Sequence, residues 1–170
     1  MKTIRVLVLM GLFISMEVIL TRFFSIQTDI LRIGFGFLPV ALSAMVLGPV
    51  RGGIVAMFAD IIGMLLFPKG VYFPGFTFSA LCSGLTYGII LYQKPKTILR
   101  ISIAVLIVVL FVDLGLNTYW LSIITGKAAY VLLIPRMIKS WAMLPVQIFL
   151  ISIMWKSVSS YVRQYFPSAE

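Results

Sequence analysis

Histidine is absent from this 170-residue chain, cysteine occurs once, at Cys82, and acidic residues number five. Without histidine there can be no Ser-His-Asp triad, and a lone thiol forms neither an internal disulfide nor a Cys/His metal cluster. Charged residues make up only 11% of the chain, against about a quarter in soluble domains, while 61% of the residues are hydrophobic. This composition is typical of an integral membrane protein.

Long apolar runs fill the chain, and roughly 20 apolar residues suffice for a helix to cross the hydrocarbon core. They predict an all-α integral membrane protein, a bundle of six transmembrane helices formed by a single domain, residues 1–170. The predicted helices cover residues 5–24, 35–50, 52–67, 75–93, 98–122 and 136–160. The basic start and the first apolar run resemble a signal peptide, but Glu17 and Arg22 interrupt the region of cleavage, which favours a retained helix.

Two connections, 25–34 and 123–135, are predicted to be long, and on six spans they fall on the same side of the membrane. The stretch FPKGVYFPGFTFSAL, residues 67–81, combines helix-breaking Pro68 and Gly70 with Pro74, which suits the start of a helix. It is therefore predicted to be an external connection that lines an entrance.

The net charge of +9 comes from cations scattered between the spans. Such scattering favours lipid headgroups and an anionic ligand as partners, and no nucleic acid. Lys and Arg are slightly more numerous on the side of the termini, which predicts cytoplasmic N- and C-termini. The predicted outer cations are Arg22, Arg32, Lys69, Lys127, Arg136 and Lys139. Lys and Arg are usually more frequent on the cytoplasmic side of a membrane protein, so cations on the outer side need another reason. An anion arriving from outside would explain them.

Three acidic residues fall inside predicted spans: Glu17, Asp60 and Asp113. Such groups face a partner or a water-filled cavity, because exposure to lipid is costly. For Glu17 the favoured interpretation is internal pairing with Arg22. Asp60 has no cation in its own helix, so a structural role and a functional role are equally open.

Helical spacing organises the polar residues of the last two spans. Asp113, Asn117 and Trp120 are separated by four and three residues, which places them on one face of an α-helix. A second stripe consists of Arg136, Lys139, Met143 and Gln147. An antiparallel hairpin would bring Asn117 and Trp120 to the two cations near the outer surface, with Asp113 deeper and close to Gln147. This pocket would suit a flat polar ring with an acidic tail. The alternative is a salt bridge that ties Asp113 to Arg136 or Lys139.

Several stretches resemble one known family: the run 35–39, GPVRGG at 48–53, FPGFT at 73–77 and LNTYWLS at 116–122. The chain resembles the folate-type substrate-binding S components of energy-coupling factor (ECF) vitamin transporters. That resemblance implies a six-helix bundle in a prokaryotic plasma membrane that binds folate with high affinity from the extracellular side. It also implies a transmembrane coupling subunit and two cytoplasmic ATPases as partners, with no cofactor of its own. The chain lacks a GxxxxGK[ST] loop, which agrees with a substrate-binding subunit that is not an enzyme.

The resemblance and the polar pattern together give the candidate site. Ring recognition is assigned to Asp60, Phe76, Thr77, Asn117 and Trp120, and tail recognition to Arg22, Arg136 and Lys139. Phe35 and Phe37 are candidates to close over the ligand. S components commonly dock on the coupling subunit through two alanines four apart on the first helix. This chain departs from that pattern, and its nearest match is Gly11 with Ser15, which keeps the small size.

Other functions remain open at this point. The chain could be an S component for another planar vitamin, such as thiamine or riboflavin. An intramembrane aspartyl protease would use Asp60 and Asp113, but Asp113 lies in FVDLGL and lacks the usual Gly-x-Gly-Asp signature. An ion-coupled carrier would use Glu17 with both aspartates as a relay.

Overall fold

The computed structural model describes residues 3–27, 32–68 and 71–165, and these contain six helices and two short strands. The helices are α1 Thr3–Arg22, α2 Phe37–Leu47, α3 Pro49–Leu66, α4 Pro74–Leu91, α5 Ile98–Thr125 and α6 Ala129–Tyr165. The predicted all-α six-helix fold is confirmed. Five of the helices are long and apolar enough to cross a membrane. The apolar α2 has 11 residues and rises about 16 Å, roughly half of a hydrocarbon core.

One residue separates α2 from α3. Gly48 has a φ of 94°, a left-handed value that glycine adopts at little cost, and Pro49 begins α3 where its missing N–H is not needed. The remainder of GPVRGG is therefore helical, and α3 begins three residues before the predicted start at residue 52. Nearly every residue of α2 is buried, because it packs against α1, α3, α4 and α6.

The predicted long connection at 123–135 is wrong. The α5 helix continues to Thr125 and ends at Gly126, which has a φ of 67° in a left-handed C-terminal cap. The α6 helix begins at Ala129 and carries Pro135 and Pro145 in its interior. Membrane helices accommodate prolines because neighbouring groups satisfy the freed carbonyls, so α6 begins before Pro135, seven residues before the predicted start at residue 136.

The predicted connection 25–34 contains an antiparallel strand pair, β1 Ser25–Gln27 and β2 Arg32–Gly34. Its central residues, 28–31, lie outside the described residues, as do Lys69 and Gly70 of the connection between α3 and α4.

Candidate functional site

A cavity of about 340 Å³ lies among the helices. This volume falls within the range of about 300–1,000 Å³ that small-molecule sites occupy. One face of α4 forms much of its wall, through Phe76, Ser79, Ser83 and Tyr87. Their spacing of three, four and four residues is that of one helical face, and from Phe76 to Tyr87 this face descends about 16 Å. The cavity therefore extends from the N-terminal end of α4 deep into the bundle.

Charged side chains of both signs line the cavity: Glu17, Asp60, Asp113, Arg22, Arg136 and Lys139. Their formal charges cancel, so an anion would be held by cations close to it rather than by an overall positive field. Glu17 and Arg22 are 8% and 5% exposed, which places two charged groups of α1 in the buried wall. Among the described residues, no group of three or more His, Cys, Asp or Glu side chains is arranged to hold a metal ion.

Thr77 lies behind the wall and holds Asp60. Its hydroxyl lies 2.8 Å from Asp60 Oδ2, to which it donates, and 3.2 Å from the hydroxyl of Tyr72. Hydrogen bonds to a carboxylate are stronger than those between neutral groups. Because Thr77 is buried, this contact fixes the Asp60 carboxylate at the wall and connects it to Tyr72, just before α4.

The middle of α5 is a π-helix, Val108–Leu116, and it contains Asp113. The Asn117 N–H donates to the carbonyl of Val112 instead of that of Asp113, its partner in an α-helix. Arg136 Nη2 donates to the backbone carbonyl of Asp113 at 2.9 Å, so Arg136 lies beside Asp113, which the predicted hairpin had placed deeper. Asn117 Nδ2 donates to Asp113 Oδ1 at 3.2 Å. Short π segments inside helices often occur at functional sites.

Trp120, a predicted ring-binding residue, does not share the cavity wall. Its indole N–H donates to Ser79 Oγ at 3.1 Å, and its ring centroid lies 5.6 Å from that of Phe73. A Cβ on Gly75 would lie 2.5 Å from the indole, so Trp120 packs tightly on the start of α4. Asp113 and Asn117 line the cavity, whereas Trp120, one turn after Asn117, is held against Ser79 and Phe73.

Of the three predicted phenylalanines, two line the cavity and one lies outside its wall. Phe37 and Phe76 line the cavity, and Phe76 makes an edge contact with Phe73, whose ring centroid is 6.3 Å away. Phe35 lies outside the wall and is 39% exposed, with its ring centroid 6.4 Å from that of Phe37. The remaining candidates, Arg22, Asp60, Asn117, Arg136 and Lys139, all lie on the wall.

Sequence reasoning left two further wall residues out of the candidate site: Tyr87 was not considered, and Gln147 was named only in the polar stripe and as a neighbour of Asp113. Tyr87 OH, Asn117 Oδ1 and Gln147 Oε1 are buried without a hydrogen-bond partner in the described part of the chain. Tyr87 stands in an apolar run, so polarity alone did not single it out. Its spacing of four from Ser83, itself four from Ser79, was the available signal.

Gly11 and Ser15 lie on an exposed face of α1, away from the cavity. A Cβ on Gly11 would meet no atom within 4 Å, and Ser15 Oγ donates to the Gly11 carbonyl at 2.9 Å. Their role as a docking surface stays a prediction.

Known proteins with similar sequences and structures show the family of this chain. Residues 5–155 match the family model "ECF transporter, substrate-specific component". The chain is 47% identical over 158 residues to the folate transporter FolT of Clostridium novyi (strain NT), covering 93% of this chain and 92% of that protein. It is 32% identical over 150 residues to the folate transporter FolT of Leuconostoc mesenteroides subsp. mesenteroides, covering 85% and 80% respectively.

The crystal structure of FolT bound with folic acid superimposes with a TM-score of 0.84 and 38% identity, covering 87% of this chain and 90% of that one. This chain is a multi-pass membrane protein that binds a transported substrate, as its six helices, its apolar composition and the family match all indicate. This chain belongs to the family of substrate-specific components of ECF transporters.

Proposed function

We propose that this protein binds folate with high affinity from the extracellular side, as the substrate-specific subunit of an ECF-type ABC transporter. The observation that carries the proposal is the 47% identity to a folate transporter over 93% of this chain. Identity at this level over nearly full length favours the same substrate within a family that serves several vitamins.

The chemistry of the cavity suits folate, which joins a flat pterin ring to a glutamate with two carboxylates. Arg22, Arg136 and Lys139 supply cations for the carboxylates, and guanidinium groups pair with carboxylates through two parallel hydrogen bonds. Phe37 and Phe76 offer apolar surface for stacking against the ring. Asp60, held by Thr77, accepts hydrogen bonds from ring N–H groups.

Energy for uptake comes from partners in this proposal: a transmembrane coupling subunit and two cytoplasmic ATPases. The exposed face of α1 around Gly11 and Ser15 is the surface that docks on the coupling subunit, because small side chains allow close helix approach. The protein lies in a prokaryotic plasma membrane with both termini in the cytoplasm, and it uses no cofactor of its own.

Ligand binding is tested on the purified protein in detergent with radiolabelled folate. We expect saturable binding that unlabelled folate displaces, with thiamine and riboflavin failing to compete at a hundredfold excess. Asp60→Asn should weaken binding, while Tyr130→Phe, at a 72% exposed position, should leave it unchanged. Displacement of folate by thiamine or riboflavin, or folded protein that binds no folate, would overturn the assignment.

The partners are tested separately by co-purification from cells that express the tagged protein. A coupling subunit and two ATPases should elute together with it. Folate flux into liposomes that contain the isolated chain alone, without any ATPase, would instead indicate an independent carrier.

A further inference from the structure

Ser79 of α4 carries a hydroxyl whose proton is not used within the described part of the protein. Ser79 lies in the cavity wall and is 2% exposed, and its Oγ accepts a hydrogen bond from the indole N–H of Trp120 at 3.1 Å. A hydroxyl group can donate one hydrogen bond as well as accept. Among the described residues the Ser79 hydroxyl donates to none. Because a buried donor without an acceptor is costly, this donor is left to a molecule inside the cavity.

Other serines in the helices use their protons differently. A serine inside a helix can donate to the backbone carbonyl four residues earlier. Ser15, Ser83 and Ser152 all do so, and Ser83 donates to the Ser79 carbonyl at 3.1 Å. The oxygen of Ser79 is instead bonded to the indole of Trp120, on the neighbouring helix α5. This contact distinguishes Ser79 from the serine one turn further along the same wall.

Trp120 is held firmly where it donates to Ser79. Its ring centroid lies 5.6 Å from that of Phe73 and 5.0 Å from that of Tyr119. A Cβ on Gly75 would lie 2.5 Å from the indole, so the ring packs directly on the first turn of α4. Packing on both sides fixes the direction of the indole N–H, and that N–H in turn fixes the Ser79 oxygen.

An uncharged donor adds something that the other groups assigned to folate do not offer. The cations of the wall pair with the carboxylates of the ligand, and Asp60 accepts from its N–H groups. Carbonyl oxygens and aromatic nitrogens of folate remain, and these uncharged acceptors suit a neutral hydroxyl donor. Ser79 supplies such a donor at the cavity wall.

We propose that Ser79 binds the ligand, with its hydroxyl donating to an uncharged acceptor of folate, and that Trp120 is its positioning residue. Trp120 acts through its N–H on the Ser79 oxygen and does not itself contact the ligand. This inference rests on the proposed capture of folate. It adds one contact residue and the residue that orients it.

The first test measures folate affinity of the full-length protein in detergent by equilibrium titration. We expect Ser79→Ala to bind folate on the order of tenfold more weakly than the wild type. Ser83→Ala makes the same change on the same wall, but its hydroxyl is already bonded to a carbonyl, so its effect should be at least about threefold smaller. Trp141→Phe, at a 58% exposed position, should bind like the wild type.

The second test is a double-mutant cycle. Trp120→Phe removes the N–H but keeps an aromatic ring, and we expect folate binding on the order of tenfold weaker. In the Ser79→Ala background the same replacement should change the affinity by less than about twofold, because the hydroxyl through which Trp120 acts is gone. If Trp120→Phe does not fold, benzothienylalanine at position 120 takes its place, since it replaces the N–H by sulfur in a ring of nearly the same shape.

Three results would overturn the inference and leave folate capture intact. Ser79→Ala that binds folate like the wild type would remove this hydroxyl from the site. Trp120→Phe that melts at a lower temperature yet binds folate like the wild type would make Trp120 merely structural. Additive losses in the double variant would mean that Trp120 acts by a route other than Ser79. Failure of the folded wild type to bind folate would overturn the proposed function as well.

Discussion

Close packing of α3 on α4 depends on the glycine at position 84. A Cβ added there would lie 2.5 Å from the carbonyl oxygen of Gly52 and 2.7 Å from the Cα of Gly53. Both atoms belong to the backbone of α3, so no side-chain rotation relieves the clash, and the helices would have to separate by about 1 Å to reach normal contact. Overpacking of this kind costs about 1–3 kcal/mol. We expect Gly84→Ala to lower the free energy of unfolding by that amount.

The assay is thermal unfolding of the purified protein in detergent, where each kcal/mol corresponds to about 2–4 °C in a protein of this size. Gly11→Ala is the matched control, because its Cβ would meet no atom within 4 Å. The control should melt at or above the wild-type temperature, since alanine favours helix over glycine. Separation of the helices would also move Asp60 on α3 relative to Tyr87 on α4, so folate affinity should fall. Equal melting temperatures for the two alanine variants would refute this account of the packing.

Three further predictions concern the site and its partners. Thr77→Val keeps the shape of the side chain but removes the hydroxyl that holds Asp60, so we expect equilibrium titration to show folate binding about tenfold weaker than in the wild type. Unchanged affinity would mean that this hydrogen bond does not position the carboxylate. Arg22→Lys retains the charge but loses the planar pair of donors, so affinity for folate should fall on the order of tenfold, and wild-type affinity would exclude Arg22 from tail recognition. The double variant Gly11→Leu with Ser15→Leu should bind folate like the wild type yet fail to co-purify with a coupling subunit, whereas intact co-purification would move the docking surface elsewhere.

Apolar content and spacing in the sequence were enough to predict the class of protein. Runs near bilayer length predicted the helices, because hydrocarbon forces the backbone to satisfy its hydrogen bonds within each segment. Polar residues in such runs are costly, so Asp60, Asn117, Arg136 and Lys139 stood out and all four line the cavity. Local residue types also misled at two places. The last helix was predicted to begin after Pro135 and the third to begin inside GPVRGG, because a local pattern does not show the neighbouring helices that support prolines and glycines within a helix.

The sequence by itself therefore determined a helical membrane protein with a polar interior and a resemblance to one transporter family. Tertiary structure alone decided which polar atoms share the cavity. Packing between helices places the Trp120 indole on Ser79 of α4, and within the π-helix Val108–Leu116 the Asp113 carbonyl accepts a hydrogen bond from Arg136 of α6. Burial likewise leaves polar atoms of Tyr87 and Gln147 in the cavity wall without a hydrogen-bond partner among the described residues. These outcomes depend on how helices distant in sequence pack, and spacing along one helix carries no information about its neighbours.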